Sequence, residues 1–147
     1  MSISILFAIN ESSSSRAAIK YLASLPLLPH EVHIKLIHVL RKPSSGEEMM
    51  GKKYMAQQAD RYTKMLVRAR DQLVEGGFLE RNIDIELIAD PYETISDGIM
   101  DVFKKERYDM VVIGRKKMSK AEEFVLGDPS VKLVRALEET AIVVIKS

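Results

Sequence analysis

Two rhythms of apolar residues alternate along this chain. Residues 3–9 form a short apolar run bounded by Asn10 and a serine cluster, the pattern of a buried strand. Residues 32–40 alternate, with Val32, Ile34, Leu36 and His38 on one side and His33, Lys35, Ile37 and Val39 on the other, which predicts a second strand. Residues 82–88 alternate again as a third. Residues 110–113 are wholly apolar and end at Gly114, as a buried fourth strand would, and residues 141–145 supply a fifth.

Helical spacing fills the intervals. Ser12 to Ser15 offer N-caps for a first helix carrying Ala18, Ile19, Leu22 and Ala23, and Pro26 and Pro29 end it. Arg41 to Gly51, with Pro43, Ser44, Ser45 and Gly46, reads as a loop. From Lys52 a long helix follows, its stripe Met55, Ala59, Tyr62, Leu66, Ala69 and Leu73 spaced by four and three; Gly76 and Gly77 stop it as a left-handed cap would. Pro91 sits where a first helical turn tolerates proline, ahead of Ile95, Ile99, Val102 and Phe103. Residues 119–126 are loop or short helix. Pro129 opens a last helix with Val131, Leu133, Val134 and Leu137.

Strands separated by helical crossovers predict an α/β fold: one doubly wound parallel sheet with helices on both faces. Its ligand crevice lies at the carboxyl ends of the strands, where the strand order reverses. A chain of 147 residues suits one domain, residues 1–147, and shows neither repeat nor linker.

Composition narrows the chemistry. A formal charge of +1 gives no reason to expect nucleic acid or an anionic membrane as partner. The absence of cysteine excludes disulfides, thiolate metal sites and thiol nucleophiles. The N-terminus has no basic stretch, and its apolar run is too short for a signal or spanning helix, so the expected location is the cytoplasm. His30, His33 and His38 lack metal-ligand spacing, and no hydrolase elbow is present.

Collinear segments along the chain carry a family resemblance. Tyr108-Asp109-Met110-Val111-Val112-Ile113-Gly114 resembles the aDlIVmG segment of universal stress proteins. Gly114, Lys117, Gly127 and Asp128 fall on the spacing of that family's G-x2-G-x9-G-[S/T] nucleotide loop. Leu6 to Ser12 is similar to its first strand and turn, VAVDGS, and His38-Val39 to the end of its second strand. Ala89-Asp90-Pro91 is similar to its G-[DN]-P, and Thr140 to Ile145 to its closing strand.

The resemblance implies a Rossmann-like sheet of the adenine nucleotide alpha hydrolase type, ordered 3-2-1-4-5. It implies a crevice for ATP or another adenine nucleotide, bordered by Ala8, Asn10, Val39, Gly114, Arg115, Lys117, Gly127, Asp128 and Ser130. It also implies a homodimer through the last strand, Ala141, Ile142, Val143, Val144 and Ile145. The residues themselves support that last point, because an uncovered apolar edge invites pairing.

Three substitutions bear on the phosphate grip. Lys117 stands for the second glycine, Asp128 for the Ser or Thr, and Pro129 brings no N–H. Asp followed by Pro is a self-sufficient helix start, whose carboxylate competes with a phosphate for the same donors. The loop is therefore expected to keep its shape while losing the triphosphate grip. Asn10 stands where binding relatives carry a ribose-contacting Asp, and keeps an acceptor; Glu11 adds charge beside it.

The function implied is a small regulatory or stress-resilience module with no identified turnover chemistry. Two alternatives stay open: an ATP switch or slow ATP hydrolase using the same crevice, and a nucleotide-independent module that contacts an unknown protein partner. A phospho-receiver with Asp90 as acceptor is set aside. Asn10-Glu11 and Gly114 stand where it needs an acidic pair and a Ser or Thr, and Lys146 falls too late.

Overall fold

The computed structural model describes residues 2–43, 45–115, 117, 119–126 and 129–147, with the backbone alone at 90, 91, 123, 125 and 126. Five strands, β1 (Ile3–Ala8), β2 (Val32–Arg41), β3 (Ile83–Tyr92), β4 (Met110–Arg115) and β5 (Ala141–Lys146), form one sheet in the order β3-β2-β1-β4-β5. All four pairings are parallel. The chain starts in the centre, builds β2 and β3 to one side, then crosses to β4 and β5 on the other. The order therefore reverses between β1 and β4, as the doubly wound expectation required.

Alternation along β1 and β2 splits the core in two. Ile5, Phe7, Ile34 and Leu36 face helices α1 (Ser13–Ser24) and α3 (Gly51–Glu75), meeting Ala18, Leu22, Leu66, Ala69 and Leu73. Leu6, Ile37 and Val39 face the other way, with Val111 and Ile113, toward Ile99 and Phe103 of α4 (Ile95–Lys105) and Leu133 of α6 (Pro129–Ala136). Each large side chain so buried stabilises the fold by about 1.5–3 kcal/mol.

Local chemistry fixes the ends. Gly77 takes a φ of 110°, and Phe78 N–H then reaches back to the Leu73 carbonyl at 3.1 Å, closing α3 with the buried Phe78 ring beneath. Thr94 caps α4, its Oγ1 accepting from Asp97 N–H at 3.2 Å. Asp109 joins the start of β4 to β1 by accepting from Ser4 N–H at 2.9 Å, while its own N–H donates to the Ser4 carbonyl.

The structure corrects several expectations. The segment read as a loop after β2 contains a short helix, α2 (Ser45–Met49). Pro91 belongs to β3, not to a first helical turn; an edge strand tolerates its missing N–H, and Thr94 starts the helix instead. Of the two readings left open for residues 119–126, the short helix is the one found, α5 (Lys120–Leu126). Of the apolar stripe expected on α6, only Leu133 is buried within the helix, and Val131 and Val134 face outward.

Candidate functional site

The carboxyl ends of β1 and β4 carry four of the expected crevice residues side by side. Ala8 pairs with Ile113 across β1 and β4, Asn10 follows two residues later, and Gly114 and Arg115 are the last rungs of β4 against β5. Val39 lies near the end of β2, fully buried. Its side chain packs against α4 so closely that a Cβ on Gly98 would fall 2.4 Å from Val39 Cγ1. Lys117 is exposed, and Ser130 is buried in the first turn of α6. Gly127 and Asp128 lie outside the described residues, as does Lys116.

Gly114 is held to glycine by packing. A Cβ there would meet Ser14 Oγ at 2.7 Å, the Ser14 carbonyl carbon at 2.8 Å and Ser15 N at 2.9 Å. The first turn of α1 therefore rests directly on β4, and only a residue without a side chain permits that approach.

The serine run closes the same turn from within. Ser12 stands at the cap position of α1, but its side chain makes no cap bond. Asn10 Oδ1 instead accepts from Ser12 N–H at 2.8 Å, from Ser15 Oγ at 2.9 Å and from Ser12 Oγ. Ser15 Oγ in turn accepts from Asn10 N–H at 2.9 Å, and Ser12 and Ser14 hydroxyls lie 2.6 Å apart. This is an Asx turn reinforced by hydroxyls. The carbonyl oxygen that could meet a sugar already has three donors.

Two further contacts hold the turn. His38, at the end of β2, donates from Nδ1 to the Ile9 carbonyl at 2.7 Å, and its ring stacks on Tyr62 of α3 at 4.2 Å. The tautomer follows from the partner, since a carbonyl only accepts. Burial lowers the His38 pKa from its usual 6.5, against upward pulls from the Ile9 carbonyl and the Glu11 carboxylate. Arg61, also on α3, forks onto Glu11, with Nε 2.6 Å from Oε1 and Nη2 on Oε2. Glu11 raises the Arg61 pKa further. Ile9 and Glu11 are thus gripped by side chains from β2 and α3, and Asn10 by the serines that follow it.

These grips were only partly legible in the sequence. The likeness of His38-Val39 to the end of the family's second strand set His38 near a carboxyl end, and Glu11 follows Asn10. Arg61 gave no signal, because one exposed arginine on a long helix looks like any other until the fold sets it opposite Glu11. The serines had been expected to cap the helix, and their service to Asn10 is a correction.

Among the described residues, no group of three or more His, Asp or Glu is arranged to hold a metal ion. No helix among them is long and apolar enough to cross a membrane.

Comparisons with known proteins agree with this fold. The sequence model of the Universal stress protein family matches residues 1–144. No curated protein sequence matches the chain. Solved structures do. The hypothetical protein MJ0577, whose biochemical function was assigned from its structure, is 16% identical with a TM-score of 0.75, over 100% of this chain and 97% of that one. The universal stress protein UspA of Lactobacillus plantarum is 14% identical with a TM-score of 0.71, over 97% of both chains. A universal stress protein in complex with cAMP is 13% identical with a TM-score of 0.68, over 97% of this chain and 95% of that one.

Proposed function

Since this chain belongs to the universal stress protein family, we propose that it serves as a small, dimeric, cytoplasmic regulatory module whose crevice keeps the family's shape but not a triphosphate grip. The observation that carries this reading is the filled turn at the end of β1. Asn10 Oδ1 accepts from Ser12 and Ser15, and Ser14 seats against Gly114, so the protein's own hydroxyls use the polar groups there. Pro129 contributes no N–H at the start of α6. Ala8, Asn10, Val39, Gly114, Arg115, Lys117, Gly127, Asp128 and Ser130 remain the proposed border of the crevice.

A relative solved with cAMP supports keeping a smaller adenine nucleotide in view as ligand. The ATP switch, by contrast, needs a bound triphosphate and a group to orient water. Native mass spectrometry of the protein as purified tests the proposal. Apo protein or a monophosphate is expected; stoichiometric ATP would contradict it.

For the dimer, the two sheet edges differ in a way that supports pairing at β5. The β3 edge exposes Asp84 and Glu86, the latter paired with Lys35 at 2.7 Å, and inserted charge blunts an edge. Across β5, Ile142, Val143, Val144 and Ile145 run without a charge and stay half-buried. Beside them α6 leaves Val131 and Val134 exposed, at 45% and 61%. Sedimentation equilibrium should return a dimer, with β5 amides slow to exchange. A monomer with fast-exchanging β5 amides would refute this assembly.

A further inference from the structure

We propose that the Glu11–Arg61 pair is a self-occupied anion site, in which the Glu11 carboxylate fills the Arg61 fork that would otherwise take the phosphate of a small phosphate monoester. The inference deepens the reading of the crevice given above and rests on it.

Three features carry it. First, the contact is a fork: Nε and Nη2 of Arg61 each take one oxygen of Glu11, the arrangement by which arginine also holds two phosphate oxygens. Second, the pair is reachable, with the Arg61 side chain 56% exposed and that of Glu11 35%. An exposed pair is held weakly, so a dianion in solution can compete for the guanidinium. Third, its location is fixed. Glu11 directly follows Asn10, whose turn is pinned by Ser12, Ser15 and the His38 contact to Ile9. Arg61 sits 5.9 Å from the centroid of Tyr62, the ring on which His38 stacks. Displacing the carboxylate would leave a cation beside an aromatic pair, at the exit of the central strand.

Glu11 therefore works as an internal competitor. Negative charge beside a phosphate site disfavours the ligand twice, by occupying the cation and by repelling the incoming anion. Neither effect requires the loop that follows β4, so the latch is separate from any contribution of Lys117 or Asp128.

The test titrates inorganic phosphate and AMP into the wild type, Glu11→Gln, Arg61→Gln and the double variant, followed by calorimetry and by the Arg61 Nε–H resonance. Glu11→Gln is expected to bind roughly fivefold tighter than the wild type, the factor an exposed ion pair can withhold. The gain should vanish in the double variant. Tighter binding of AMP than of phosphate in Glu11→Gln would identify the monoester of a nucleotide as occupant; equal affinity would identify the bare anion. Glu11→Gln binding no better than the wild type would overturn the proposal, as would a gain that survives Arg61→Gln. Because the pair is exposed, thermal midpoints should hold steady and confirm that all four proteins are folded. Tight magnesium-ATP binding by the wild type would defeat the proposed function, yet leave this comparison of variants intact.

Discussion

His38 ties β2 to the exit of β1, its Nδ1–H donating to the Ile9 carbonyl at 2.7 Å. Burial is the main influence on this imidazole and disfavours its charged form, so its pKa lies below the usual 6.5. The unfolded chain therefore binds the proton first as pH falls. Stability is full above pH 6.5 and declines as pH drops toward the lower folded value. Urea midpoints between about pH 5 and 7 should fall with acidity, and less so in His38→Asn. An NMR titration placing His38 above its usual value would reverse the sign and contradict the burial argument.

Gly98 is predicted to resist the most conservative change. Alanine gains about 1 kcal/mol of helix propensity over glycine, yet its Cβ would lie 2.4 Å from Val39 Cγ1 and 3.2 Å from Tyr92 Cδ2. Overpacking of this kind costs about 1–3 kcal/mol, so Gly98→Ala should lower stability on balance. The double variant with Val39→Ala should lose less than the sum of the two single changes, a coupling of about 0.5–3 kcal/mol readable from denaturant melts.

Gly114 makes a sharper case, because its neighbours are backbone. Gly114→Ala should destabilise the fold by about 1–3 kcal/mol, by pushing the first turn of α1 off β4. Its chemical-shift changes should concentrate at Ser14 and Ser15. Loss of ligand binding in this variant would then report on α1 packing as much as on the crevice.

That glycine shows how much of the site the sequence disclosed. Its place at the end of a buried strand was legible from the apolar run before it, as were the five strands and their parallel direction, because alternation and helical spacing are local signals. Their order was implied only by the family resemblance. The serine hydroxyls approaching Gly114 were not legible, nor was the fork between Arg61 and Glu11, since both arise from elements brought together only by the crossovers. Pro91 misled for a related reason: proline marks helix starts and edge strands alike, and only the sheet order decides between them.

Glu139 holds a φ of 57° in the turn between α6 and β5, within reach of the Arg107 guanidinium at 3.6 Å. The left-handed conformation costs a non-glycine residue about 1–2 kcal/mol, whereas an exposed ion pair returns at most about 1. Glu139→Gly should therefore leave stability unchanged or raise it by up to about 1 kcal/mol, despite losing the pair. A lower melting midpoint would mean that Arg107 contributes more to this turn than an exposed pair can.

Tyr108 packs its ring against Phe103, and its hydroxyl lies 3.4 Å from Glu106. Burial, helped by Glu106, pushes its pKa up to about 12. Its ionisation should be missing from an ultraviolet titration near the usual 10, and stability should fall as pH rises from 10 toward 12. A tyrosine titration in which all groups ionise near 10 would count against the burial of this side chain.

The most direct test is calorimetric titration of the purified protein with ATP and magnesium, with AMP and inorganic phosphate as controls. No saturable heat below about 1 mM ATP is expected, because the β1 turn is filled by its own serines and Pro129 brings no N–H to the start of α6. Saturable binding in the micromolar range would contradict that account and return the chain to the nucleotide-switch reading.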